Sequence, residues 1–382
     1  MYVYDKLGED HRFRGLALKD RRWKDLIQQI VDKAEGVFLW VYLVVQSLLN
    51  GLEDDNDIPD MQRRVDILPS DLEKCFKHML GEIDEVYRSH TAQMFQMCLH
   101  AKGPLTAVTF SFLKLERSDP DYAIAAKAES PTRETLEVTK EKMKKYINAR
   151  SRGLLEVNID QNQSISMQYK VDFLHRPVKD FLKTKEAQDM LQSQEAPGFE
   201  VHTSLCRATL AQIKLLQPEE CTTNAKTSLL VNQTKRLMSY AKRIELDHGR
   251  SESRILDELD RFHALHTNAA VPFARTVPEM QDWEDVVQDS LGARFIAWAI
   301  ESELFLYVAE KLNAHPSLLQ SLVEYTLQYG LYGRYMDMHP MLLKVLLYSE
   351  GEERTPSNSS KMTTWSRFLS SCRQIAANLV TK

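Results

Sequence analysis

The sequence predicts a mainly α-helical protein: a helical region, then a winged-helix-like unit with a small β-hairpin, then an α-helical tail. Three observations predict it. Apolar residues recur at helical spacing through most of the 382 residues. One run, Ile165, Met167, Tyr169, Val171 and Phe173, alternates against Ser166, Gln168, Lys170 and Asp172 with the period of two of a half-buried strand. From Phe199 onward every strong signal is helical.

Hydrophobic content of 43% and charged content of 27% are ordinary for a soluble globular chain and exclude collagen-like and disordered classes. The length predicts two or three units, placed at 1–58, 59–195 and 196–382. A net charge of -5 gives no whole-molecule attraction to nucleic acid or anionic lipid. Cys75, Cys98, Cys206, Cys221 and Cys372 form no Cys-x-x-Cys pair and read as reduced core residues of a cytoplasmic protein. Met1 to Lys6 is not a signal peptide, and so abrupt a start reads as the remainder of something longer.

Trp23, Leu26, Ile27, Ile30 and Val31 share one helix face, with Asp20 as the expected cap. The most apolar run follows, Val37 to Val45, expected to be a helix buried on all sides or left partly bare as a contiguous patch that would mark a truncation. It is too short to span a bilayer, which takes about 20 apolar residues. Gly36 marks a helix junction or a close approach. Glu53 to Asp57 is an acidic linker lacking the glycine and glutamate of a calcium loop.

Ser70-Asp71-Leu72-Glu73 has the form of a capping box and opens a helix to about Glu85. A second helix, Tyr87 to Ala101, is stopped by Gly103-Pro104, and Thr106 caps a third with Val108, Phe112 and Leu113. Residues 117–129 read as a loop. Ser130-Pro131 opens a helix with Leu136, Met143 and Ile147 inward, ended by Gly153. Leu154 to Val157 and the alternating run make the hairpin, and Pro177 begins a helix burying Val178, Phe181 and Leu182. In the tail, helices are predicted over 199–217, 224–247, 251–267, 282–313, 316–330, 337–349 and 363–380. Pro340 to Leu347 hints at a helical repeat, without a period to support it.

No P-loop, nucleophile elbow, His-Glu-x-x-His or kinase set occurs in the sequence. His263 and His266 share a helix face, but no third ligand is recognisable, so two surface histidines is the better reading. Lys140, Lys142, Lys144, Lys145, Arg150 and Arg152 lie where a DNA-binding winged helix would place its recognition helix. Glu137 and Glu141 weaken that field, and a solvated face is favoured. His175 stands between the alternating strand and the Pro177 helix, where it either satisfies local backbone or contacts an anion.

Three segments together resemble the fungal NACHT-type STAND NTPases, relatives of heterokaryon-incompatibility proteins and NOD-like receptors. They are Lys33-Ala34-Glu35-Gly36-Val37-Phe38-Leu39-Trp40-Val41, then Leu68-Pro69-Ser70-Asp71-Leu72-Glu73, then Val171-Asp172-Phe173-Leu174-His175 with Asp180-Phe181-Leu182. The likeness covers about residues 24 to 215 and places them after the nucleotide-binding core. It implies that the winged helix closes over nucleotide and that His175 senses the phosphate of bound ADP. Pro177 departs from the Ser or Thr usual in such motifs, and the P-loop core is absent. Near the end, Leu346 to Gly351 with Thr364-Trp365 is similar to a degenerate ankyrin-like end, although Glu352-Glu353-Arg354 departs from it.

The resemblance therefore implies a non-catalytic regulatory and interaction portion of a signalling NTPase. It carries no cofactor of its own, and ADP or ATP enters only with a P-loop domain supplied upstream or in trans. Expected partners are proteins, such as that P-loop domain or a second copy, with no membrane and no nucleic acid. The alternatives are a standalone helical scaffold and a winged-helix nucleic-acid binder using the six basic residues above.

Overall fold

The computed structural model describes residues 2–53, 56–129, 132–161, 167–216, 229–266 and 291–315, and within them it is mainly helical with a three-stranded antiparallel sheet. Contacts divide the chain into two units, 1–110 with 136–199 and 111–135 with the residues from 200 on. Among the described residues no helix is long and apolar enough to cross a membrane. The expected helices over 316–330, 337–349 and 363–380, the repeat hint at Pro340 and the ankyrin-like end lie outside the described residues.

The first unit begins with two helices that the periodicity did not reveal, α1 (Tyr2–Glu9) and α2 (His11–Lys19). They bury little more than Val3, Leu7 and Phe13. Asp10 caps α2 by accepting from the Arg12 amide at 2.7 Å. In α3 (Trp23–Lys33) Leu26 and Ile30 are buried, whereas Val31 is exposed. Asp20 is not its cap: the carboxylate accepts from the Arg22 amide at 2.9 Å, and Arg22 itself holds the cap position without a side-chain bond.

Gly36 is a junction, as expected. Glu35 at φ 47° and Gly36 at φ 84° turn the chain out of α3 and into α4 (Phe38–Glu53). Burial on all sides of α4 is not what the structure shows. Trp40, Leu43, Val44, Val45 and Leu48 are buried, Leu39, Val41 and Tyr42 are half-buried, and Phe38 is 60% exposed. α4 packs against α1, α3 and α5 (Ile58–Ile67), with the Tyr2 ring edge-on to Phe38 at 4.9 Å. The Trp40 indole donates to the Pro69 carbonyl at 2.5 Å.

The acidic stretch ends in a helix cap. Asp57 accepts from the Asp60 amide at 2.9 Å while Asp60 accepts from the Asp57 amide at 3.2 Å, a reciprocal capping box opening α5; residues 54 and 55 lie outside the described residues. At the other end the Lys33 ammonium donates to the carbonyls of Val65 at 2.6 Å and Asp66 at 2.8 Å, placing a cation on the negative end of α5. α6 (Leu72–Gly81) is capped one residue later than expected, by Asp71 accepting from the Lys74 amide at 2.9 Å rather than by a Ser70–Glu73 box.

After α7 (Glu85–His100) come β1 (Leu105–Thr106), α8 (Ala107–Glu116), α9 (Tyr122–Ala125), α10 (Arg133–Ser151), β2 (Leu155–Ile159) and β3 (Tyr169–Phe173). β3 pairs antiparallel with β2 from Leu155 opposite Phe173 to Ile159 opposite Tyr169, and with β1 from Leu105 opposite Val171. The sheet order β1-β3-β2 with this helix order is the connectivity of a winged helix. β3 is shorter than the alternation, whose Ile165 lies outside the described residues, and β1 and α9 were not foreseen. Thr106 caps as expected, with its Oγ1 accepting from the Thr109 amide at 3.4 Å. Ser130-Pro131 lies outside the described residues, and Thr132 accepts from the Thr135 amide at 3.2 Å near the α10 start. Leu136, Met143 and Ile147 are buried, and Arg152 at φ 52° with Gly153 at φ 78° makes the turn into β2. α11 (Arg176–Leu182) buries Val178, Phe181 and Leu182 as expected, and α12 (Lys185–Gln194) follows, capped by Thr184.

The second unit carries α9, α13 (Val201–Lys214), α14 (Leu229–His248), α15 (Ser253–His266), α16 (Leu291–Glu301) and α17 (Phe305–Ala314). α13 packs on α14, α9 and α15. The single helix expected over 282–313 is broken at Glu303, which turns at φ 61°. Glu245 of α14 closes that break, accepting from the Leu306 amide at 3.0 Å and the Tyr307 amide at 2.9 Å where α17 has no side-chain cap of its own. His263 is half-buried: its Nε2 lies 2.8 Å from Thr234 Oγ1, and its ring packs edge-on to Trp298, so it serves the core rather than a surface.

Asp260 on α15 gives this unit a pH dependence. Burial and then the neighbouring Asp257 carboxylate hold its carboxyl up at about 6, against a downward pull from Lys311. The folded chain therefore binds this proton more tightly than the unfolded chain, and the stabilisation present at low pH is lost as pH rises from about 4 through about 6. Asp260→Asn is expected to flatten that slope and to stabilise the unit at pH 7 by about 1–2 kcal/mol. Urea midpoints at pH 5 and 7 check it, and an unaltered slope in the variant refutes it.

Candidate functional site

A cavity of about 340 Å³ opens in the first unit between α4, the α5 and α6 ends, α10 and β2. Its polar lining comes from two helical stripes. Tyr42, Gln46 and Asn50 recur every fourth residue along α4, with Ser47 beside them; Lys144 and Asn148 do the same on α10, continued by Arg152 just past its end. Glu156 of β2 joins them, over an apolar floor that includes Leu43, Met79, Leu155 and Val157.

The side chains of Tyr42, Gln46, Ser47, Asn50, Lys144 and Asn148 are not hydrogen-bonded to other described residues. Burial, then the Glu156 charge, raises the Tyr42 phenol above its ordinary range. Arg152 is partly committed, donating to the Glu82 carbonyl at 2.8 Å. Arg64 donates to the Asn56 amide oxygen at 2.8 and 3.1 Å. A Cβ at Gly51 would come within 2.7 Å of that Asn56 amide, so this glycine admits the contact. Cys75 lies in the floor, its thiol pushed up to about 11 by burial and the nearby Asp71 and Glu82 carboxylates, which leaves it inert as a nucleophile. Cys98 and Cys206 are likewise buried free thiols, while Cys221 and Cys372 lie outside the described residues.

The structure separates the six basic residues. Lys140 donates to the Tyr169 hydroxyl at 2.8 Å and to Glu137 at 3.0 Å, both of which raise its pKa. The Arg150 guanidinium stacks 3.6 Å from the centroid of Tyr146 and 4.5 Å from that of Tyr87. Lys144 and Arg152 face the cavity, and Lys142 and Lys145 are exposed. His175 sits at the α11 cap position with extended backbone and an exposed side chain that makes no capping bond; its carbonyl accepts from the Val178 amide at 3.1 Å. Around it Phe173, Phe181 and Leu182 are core, and the Phe181 ring packs 5.5 Å from Phe76. His175 is not among the residues lining the cavity, although its neighbour Leu174 is. Among the described residues no group of His, Cys, Asp and Glu could hold a metal ion.

The apolar run of α4 conceals the cavity in the sequence, because apolar residues occur on every side of the helix. The signal was present: Tyr42, Gln46, Ser47 and Asn50 are the polar interruptions of that run, and all four fall on one side.

Residues 82–224 match the family described as "Domain of unknown function (DUF7791)". The DUF7791 match opens just before α7 and extends beyond α13, so it takes in the whole winged-helix order and the His175 motif, and it covers well under half of the chain. No curated protein and no solved structure matches the chain.

Proposed function

We propose that this chain is the non-catalytic regulatory and interaction portion of a NACHT-type STAND signalling protein, its winged helix acting as a switch that responds to nucleotide held by a P-loop domain in the same or a partner polypeptide. The observation that carries the reading is the winged-helix element order with His175 exposed and uncommitted at the start of α11, inside Phe173-Leu174-His175. An exposed imidazole can donate to a phosphate brought to it by another domain, whereas a histidine consumed in its own core could not. Protein partners, a P-loop domain or a second copy, follow from the same reading.

The purified chain is expected to hydrolyse no ATP above a protein-free blank. Turnover that a point change within the chain abolishes overturns the non-catalytic reading. In a polypeptide where this chain follows a P-loop domain, His175→Ala is expected to weaken ADP retention and favour the self-associated form; unchanged ADP affinity together with unchanged association removes His175 from the switch.

The winged-helix nucleic-acid alternative is less well supported, because Lys140 and Arg150 are engaged by Glu137, Tyr169, Tyr146 and Tyr87. Phosphate-driven binding would appear as an affinity falling steeply with salt.

A further inference from the structure

We infer that the cavity between α4 and the α10–β2 corner is a binding site for a small hydroxylated anion, a molecule carrying a carboxylate or phosphate beside several hydroxyl groups. α4 is the most apolar segment of the chain, and a helix of that kind closes on its neighbours with Leu, Ile or Val. Along the side that faces α10 and β2 it carries Tyr42, Gln46, Ser47 and Asn50 instead. Apolar residues there would close the gap of about 340 Å³, which opens to solvent past the exposed Asn50, Lys144, Asn148 and Arg152. A polar-lined gap is instead filled by water or by a ligand that replaces it.

The chemistry of the lining selects the ligand. Hydroxyl and amide groups from Tyr42, Gln46, Ser47, Asn50 and Asn148 offer both donors and acceptors and are not used within the protein, which suits a ligand rich in hydroxyls. The charged lining is Arg64, Lys144 and Arg152 against Glu82 and Glu156, so cations exceed carboxylates by one. Lys144 carries no ion pair, and its ammonium is the group placed to take a single anionic substituent. Leu43, Met79 and Val157 in the floor give the carbon frame of such a molecule a surface to lie on. This site does not depend on the switch reading above, because its residues come from this unit alone.

The test titrates the full chain with citrate, glucose 6-phosphate and neutral glucose at 0.15 M salt, where diffuse attraction to surface lysines is screened. Calorimetry and the thermal midpoint give the readout. At least one of the two anions is expected to bind with a dissociation constant below about 1 mM and to raise the midpoint, while glucose leaves it unmoved. Binding of citrate alone assigns a hydroxycarboxylate, and binding of glucose 6-phosphate alone assigns a sugar phosphate. Lys144→Gln, a change at an exposed position, is expected to weaken the bound anion about tenfold or more. Lys145→Gln, on the same helix but outside the cavity, is expected to leave affinity unchanged. Gln46→Leu, which removes the amide donor and acceptor at nearly unchanged side-chain size, is expected to weaken binding about tenfold or more without lowering the midpoint of the ligand-free chain. The inference is overturned if neither anion binds at 10-fold above that limit, or if Lys144→Gln and Lys145→Gln weaken binding equally.

Discussion

Lys214→Met is expected to lower the stability of the second unit by about 3 kcal/mol. The Lys214 side chain is 3% exposed, and its ammonium uses all three donors: Glu258 at 2.8 Å, the Ile124 carbonyl at 2.8 Å and the Ala126 carbonyl at 2.9 Å. Two of these acceptors are free carbonyls at the end of α9, a helix of four residues, so the ammonium both neutralises a partly buried carboxylate and caps a helix C-terminus. Methionine keeps the stem and removes the charge, leaving both carbonyls without their donor. Arg261 remains on Glu258 at 2.5 Å, which places the cost at the lower end of what a broken buried pair usually shows. Lys214→Met with Glu258→Leu is expected to recover about half of the loss, because an apolar pair no longer strands a charge. Urea unfolding of the three proteins decides it: a single-variant change below about 1 kcal/mol, or a double variant no better than the single, contradicts the account.

Trp40→Ala is expected to cost the first unit about 3–5 kcal/mol. Trp40 is among the largest side chains with no exposed surface, and α1, α3 and α5 pack against its helix. Its removal also leaves the Pro69 carbonyl without the indole donor at 2.5 Å, a loss of about 1 kcal/mol. Trp40→Phe separates the two effects. It retains most of the ring volume and is expected to cost about 1–2 kcal/mol. If Trp40→Phe proves as damaging as Trp40→Ala, the hydrogen bond rather than the packing dominates, and the cavity argument for this position fails.

Some of this architecture was legible before any coordinates. The stripe Leu136, Met143, Ile147 and the alternation through Tyr169, Val171 and Phe173 record burial directly, and the structure buries those residues. The rest depends on partners distant in sequence or on capping chemistry other than the usual Ser or Thr with Glu. β1 is two residues long and exists because Leu105 meets Val171, 66 positions further along, a pairing that periodicity within a short window cannot report. α5 was hidden because its box is built from Asp57 and Asp60 rather than from Ser or Thr with Glu. α9 is held by Lys214 on its carbonyls and by the Tyr122 ring stacked 5.9 Å from Phe112, again from outside the segment. α1 and α2 bury too few side chains to leave a stripe.

The candidate site divides along the same line. The position of His175 between a strand and a helix could be read from the pattern around it, and the basic side chains could be named, but not which of them were already engaged. Lys140 and Arg150 are taken up by tyrosines from β3, α7 and α10 itself, information that lies in the pairing and not in the charge count.

The corner at Glu35 and Gly36 has a rotational consequence. An α-helix turns by about 100° per residue, so the residue at which the chain re-enters helical geometry sets the phase of everything beyond it. Starting α4 at Phe38 aims the Trp40 indole at Pro69 and the line from Tyr42 to Asn50 at α10. A start one residue earlier or later would turn both away together. Two residues of left-handed backbone therefore act as the index mark from which one helix takes its bearing, and a core contact and a polar cavity are read off the same mark.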